Sequence, residues 1–233
     1  MTAVANEGTF LLTDRQCASI LDWAAAQPHN GLVLRAFLAS VALAALQPKE
    51  ALKLRARDVE FDDQGHGALL IPSQGRESRA EEADGAATVR RVPVGKGLAA
   101  ILKEEIARRD LGPDDLVFVL DDGRPLTAPV YRDVWRQARA AVLEAHEADS
   151  PLGSTVSALR DARIAAWLRN GDQTAAHIVT VAECAGMSAS RLAERFAHCL
   201  RKPTPAEIPW HLLEEDSDLS ESASEPTGAA PRL

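Results

Sequence analysis

Two hydrophobic periods alternate along the chain, and the changes between them mark its elements. Behind Thr13-Asp14-Arg15-Gln16, which has the form of a capping box, Cys17, Ile20, Leu21 and Ala24 recur at helical spacing, and Gln27-Pro28 closes this first helix. Gly31 to Leu46 is apolar nearly all round, which predicts a helix buried on most of its surface. Pro48 opens a short helix through Ala51, Leu52 and Leu54, since proline suits a first turn. The period then shortens. Val59 to Phe61, a turn at Asp62-Asp63-Gln64-Gly65, and Ala68 to Ile71 predict a hairpin, and Val89 to Val94 a third strand. Ser73 to Thr88 between them is polar and aperiodic, the pattern of a mobile loop.

Helical spacing returns at Leu98, Ile101, Leu102 and Ile106, and an extended piece follows at Leu116 to Leu120. Val130 to His146 predicts a helix with Tyr131, Trp135, Ala138 and Val142 on one stripe. Four more helices are expected over Thr155 to Arg169, Asp172 to Val179, Val181 to Ala185 and Ser188 to Leu200. The fold class is therefore mainly α with a small three-stranded antiparallel sheet, an α+β domain. Residues 1–9 are expected to be flexible, 10–202 to form the domain, and 203–233 to be a Pro-containing, acidic, largely disordered tail.

Composition changes this picture at one point. The chain of 233 residues carries a net charge of −8, but seven acids against Arg232 alone give residues 203–233 a net of −6. The remainder is nearly neutral, so overall charge neither demands nor forbids a nucleic-acid partner. Three cysteines without paired spacing (Cys17, Cys184, Cys199) and scattered histidines, among them His66, His146, His177, His198 and His211, exclude a disulfide framework and predict no metal or cofactor. Met1 to Phe10 lacks the pattern of a signal peptide, and Gly31 to Leu46 is short for a membrane span, so a cytoplasmic protein with no membrane partner is expected.

The order of elements and the words inside it resemble the catalytic domain of the tyrosine recombinases, the phage-integrase family, from about Phe10 to Leu200. Leu46-Gln47-Pro48-Lys49-Glu50-Ala51-Leu52 stands at the family's first arginine box, and Arg91-Val92-Pro93-Val94 resembles the strand after its lysine hairpin. Val117-Phe118 with Pro125-Leu126 resembles a further pair of words. Ser157-Ala158-Leu159-Arg160-Asp161 stands at the His-x-Leu-Arg-His box, with Asn170-Gly171 beyond it. Ala185-Gly186-Met187-Ser188 falls at the Leu-Gly-His box, and Phe196 nine residues after Met187 at the nucleophile.

The resemblance implies DNA strand transfer by a tyrosine hydroxyl, with arginine, histidine and lysine groups neutralising the phosphoryl charge. Here the family positions hold Gln47, Gln74 (at the hairpin lysine), Ser157, Asp161, Met187 and Phe196, and only Arg160 survives, with Glu50 in a structural role. A phenyl ring cannot attack phosphorus, and each lost charge-stabilising donor costs about 10²–10³ in rate. The expectation is an integrase-like pseudoenzyme, without catalysis, that still engages DNA or a recombination or regulatory complex. Arg160, Arg90, Arg91 and Arg191 are its candidate DNA contacts, although Arg160 has the alternative of bridging helices through carbonyls. The family's N-terminal DNA clamp is not expected, because nothing of its size precedes Phe10, and DNA binding should be correspondingly weak.

Two alternatives stand beside this reading. Ala182 to Phe196 also resembles the helix-turn-helix of arabinose-type transcription regulators, with Ser188 capping a recognition helix that bears Ser190, Arg191 and Glu194. The other is a protein-interaction module on the recombinase scaffold. In that case Trp210, Leu212 and Leu213 would meet a second copy or another protein, or pack on their own domain.

Overall fold

The computed structural model describes residues 11–72 and 89–201. The expected loop at 73–88, with Gln74, the residues before Leu11, and the tail with Trp210, Leu212 and Leu213 lie outside the described residues.

Helix α1 (Asp14–Ala25) begins at the predicted reciprocal cap. The Thr13 hydroxyl accepts from the Gln16 N–H, and the Gln16 side chain accepts from the Thr13 N–H. Helix α2 (Gly31–Leu43) is the central rod, buried on nearly every face and packed by α1. It stops three residues short of the expected Leu46, because Ala45 turns into the left-handed region at φ 51°. Helix α3 (Pro48–Ala51) follows at once.

Strands β1 (Val59–Phe61), β2 (Gly67–Pro72) and β3 (Val89–Val94) form the expected antiparallel sheet in the order β1-β2-β3. Val59, Leu69 and Val92 lie opposite one another and point into the core. The extended piece at 116–120 joins no sheet; isolated bridges link Leu116 to Arg55 and Val119 to Pro125.

The later helices depart from expectation at their ends. Helix α4 (Lys96–Arg108) packs on α2. Helix α5 (Ala128–Val142) stops before His146, since Leu143 is extended and Glu144 begins a separate turn, α6 (Ala145–Ala148). Helix α7 (Ser157–Asn170) packs across α2. The two helices expected over 172–185 are one, α8 (Ala175–Ala185), with Thr174 as its N-cap, so Asp172 lies in the preceding turn. Helix α9 (Ala189–Arg195) ends at Phe196, and residues 197–199 form a single tighter turn instead of continuing to Leu200.

The apolar side chains form two cores. The larger joins α1, α2, α4, α5 and the sheet; the smaller holds Ala45, Ile164, Leu168, Val181, Leu192 and Phe196 between α7, α8 and α9. Helix α7 contributes Leu159 to the first and Ile164 to the second, so its next side chain, Arg160, lies at the seam. No helix among the described residues is long and apolar enough to cross a membrane.

Candidate functional site

Arg160 explains why the chain folds back at this seam. It is only 6% exposed; its Nε donates to the Ala45 carbonyl at 2.9 Å and its Nη2 to the Ala185 carbonyl at 2.6 Å. One turn further on, Arg163 Nε donates to the Ala42 carbonyl. The last carbonyls of α2 and α8 have no intrahelical donors and carry partial negative charge, and α7 supplies the cations that satisfy them. Burial lowers the proton affinity of the Arg160 guanidinium, and the charges of Asp161 and Glu50 partly restore it. This is the bridging alternative for Arg160.

Glu50 ties α3 to the sheet. Its Oε2 accepts from the Gln47 N–H at 2.8 Å, and both carboxylate oxygens take the Arg90 fork at 2.8 Å each. Burial pushes this carboxyl upward, but the Arg90 hydrogen bonds and charge, together with the Gln47 N–H, outweigh it and hold Glu50 below the ordinary carboxylate range. Arg90 lies against the turn between α8 and α9. Gly186 there is left-handed at φ +66°, and a Cβ on it would come 2.5 Å from Arg90 Nη1. Gly186 is required by both its backbone conformation and the approach of this guanidinium.

These ties leave an open cleft of about 540 Å³ bordered by α3, the start of α7 and the α8–α9 turn. Gln47, Pro48, Lys49, Tyr131, Ser157, Arg160, Gly186, Met187, Arg191 and Arg195 line it. Four of these are cations and none is a carboxylate. The side chains of Lys49 and Arg191 are exposed and make no hydrogen bond or ion pair among the described residues. Arg195 is pulled toward Asp161 by a 2.5 Å hydrogen bond at the rim.

Four family positions, Gln47, Ser157, Arg160 and Met187, therefore meet in one cleft. Phe196 does not line it, contrary to the place expected for it. The ring is 2% exposed and packs in the smaller core with Leu192 and Ile164, on the residue that ends α9. Two of the expected DNA contacts, Arg90 and Arg91, do not line this cleft. Arg90 is held bidentate by Glu50, and its side chain is only 13% exposed. Arg91 lies on the exposed face of the sheet against Glu60, in a different groove. Arg191 remains.

Sequence reading missed Lys49 and Arg195 as cleft residues, and placed Tyr131 only in packing. Arg191 and Arg195 stand four apart, so their common face was visible in the sequence. Tyr131 does pack, stacking on Phe37 with centroids 4.9 Å apart, and its edge also reaches the cleft wall. Ser188 caps α9 as the helix-turn-helix reading expects, accepting from the Arg191 N–H. That helix has only seven residues, about 10 Å of rod.

No family model and no curated protein sequence matches the chain. Among solved structures it is similar to the XerH site-specific recombinase bound to its difH substrate before cleavage, at 18% identity and a TM-score of 0.59, covering 89% of this chain and 54% of that one. A Tn1549 transposon integrase in complex with circular intermediate DNA matches at 16% identity and a TM-score of 0.62, over 87% and 66%. A lambda integrase dimer bound to a core site matches at 15% and 0.56, over 85% and 51%. The chain spans about half to two-thirds of the length of these proteins. Its fold is that of a tyrosine recombinase catalytic domain.

Proposed function

We propose that this protein binds the sugar–phosphate backbone of DNA through the cleft of Lys49, Arg191 and Arg195, and neither cleaves nor joins strands. The observation that carries the reading is a cleft that, among the described residues, is lined by four cations and no carboxylate, with two of the cations exposed and unpaired there. Solved structures of the same fold include complexes with DNA, which supports this occupant.

Phosphoryl transfer needs a nucleophile, a group to take its proton and donors aimed at the developing charge. Among the described residues, Tyr131 and Ser157 are the hydroxyls in the cleft wall, and no His, Asp or Glu lines it to accept a proton. The Tyr131 ring is held in the core by Phe37, and Arg160 directs two of its donors to carbonyls. Such a site holds a phosphate without activating it.

Counterion release sets the strength of binding. Two or three accessible cations give a slope of log K against log salt of about −2 to −3. A mobility-shift or anisotropy titration of a duplex from about 30 to 150 mM salt measures it. Lys49→Ala and Arg191→Ala should each weaken binding without regard to base sequence and reduce the slope by about one. Absence of binding at the lowest salt, or an unchanged slope in both variants, would refute the cleft as the DNA site.

A further inference from the structure

The four cations of the cleft are not held alike. Arg160 is fixed by two carbonyls, while Lys49 and Arg191 have no partner among the described residues. Arg195 is the one whose partner is an acid: its Nη2 donates to Asp161 Oδ2 at 2.5 Å. We propose that Asp161 is the cleft's internal competitor for phosphate, holding Arg195 until a backbone phosphate takes the guanidinium over. The DNA backbone as occupant rests on the reading above; the competition between Asp161 and an anion for Arg195 does not.

Asp161 stands where it can do this. It follows Ser157, which lines the cleft, by four residues on α7, so the two share one face of that helix. Its charge and that of Arg195 both reach the cleft floor: burial lowers the proton affinity of Arg160, Asp161 raises it and Arg195 lowers it. The pair is also built to exchange. Glu50 and Arg90 meet through two hydrogen bonds between largely buried side chains, whereas Asp161 and Arg195 meet through one, with the Arg195 side chain 46% exposed. Asp161 Oδ1 is buried and has no hydrogen-bond partner among the described residues, so the carboxylate is half satisfied. Nη2 is the only Arg195 nitrogen with a partner there, which leaves Nε and Nη1 as unused donors.

The chemistry of the two anions decides the exchange. A phosphodiester offers two charged oxygens to the guanidinium fork, a better match than one carboxylate oxygen on one nitrogen. Arg195 therefore turns to a bound phosphate, but the exchange leaves Asp161 without its counterion beside a second anion. Asp161 thus subtracts from the affinity that Arg195 would otherwise add, and it withholds one cation from counterion release.

The test is a double-mutant cycle on the full chain: the parent, Asp161→Asn, Arg195→Ala and the double variant, each titrated with duplex DNA from about 30 to 150 mM salt. Asp161→Asn should tighten binding about threefold to fivefold at the lowest salt and steepen the slope of log K against log salt by about one. This gain should vanish in the Arg195→Ala background. A gain that persists there shows a plain charge effect, and unchanged binding in Asp161→Asn shows no competition; either result overturns the proposal. Asp161→Ser takes the place of the amide variant where circular dichroism shows the latter unfolded. If no protein of the cycle binds DNA, the DNA reading is removed, and inorganic pyrophosphate titrated calorimetrically at about 30 mM salt decides the competition. A pyrophosphate gain in Asp161→Asn that needs Arg195 supports it, and the lack of such a gain overturns it.

Discussion

Glu50 answers to three neighbours at once: the Gln47 N–H, the Arg90 fork and the field of Arg160. Because its folded pKa is depressed, its contribution is present above the unfolded carboxylate pKa of about 4.3 and is lost as pH falls through the folded value. Glu50→Gln leaves the largely buried Arg90 charge without its counterion and should cost about 3 kcal/mol at neutral pH. Denaturant titrations of both proteins should show this gap holding from pH 7 to about 5 and narrowing below about 4. A gap independent of pH would mean that the carboxylate charge does not hold Arg90. The sequence identified Glu50 as structural, but it could not reveal that Arg90 was its partner. The two residues are forty positions apart, and only the folded strand brings them together.

Between elements, the arginines of α7 act as ties. Arg160 joins the ends of α2 and α8, whereas the exposed Arg191 side chain on α9 has no partner among the described residues. Arg160→Ala removes two hydrogen bonds from a charged, buried donor and opens the seam, at a cost of about 3 kcal/mol. Arg191→Ala should change stability by no more than about 0.5 kcal/mol. Thermal unfolding of both variants separates the roles, and equal losses would contradict them. The elements themselves were largely legible, because capping signals and apolar spacing act locally: the Thr13 cap, all three strands and the rod of α2 lie close to expectation. Their ends were less so. Helix α2 stops early because Ala45 is forced left-handed and its carbonyl is taken by Arg160, a partner 115 positions away. Phe196, expected at the nucleophile position, follows α9 and turns its ring into the smaller core, away from the cleft. A word in the sequence fixes where a residue falls along the backbone, while the second core, built from residues far along the chain, decides which way its ring points.

Across the molecule, charge is divided between a nearly neutral body with a cationic cleft and a tail with a net of −6. That division has no counterpart in the total of −8, and the cationic cleft is what links the fold to the proposed binding. The fold is shared with enzymes that break DNA, so the central claim is that this cleft holds a backbone and leaves it intact. The most direct measurement incubates the protein with a labelled, nicked suicide duplex at low salt and divides each sample between a native and a denaturing gel. The account predicts a retarded complex on the native gel and only full-length free DNA on the denaturing one. A band that survives denaturation and disappears on protease treatment would show a covalent protein–DNA link, and with it a nucleophile that this reading of the cleft denies.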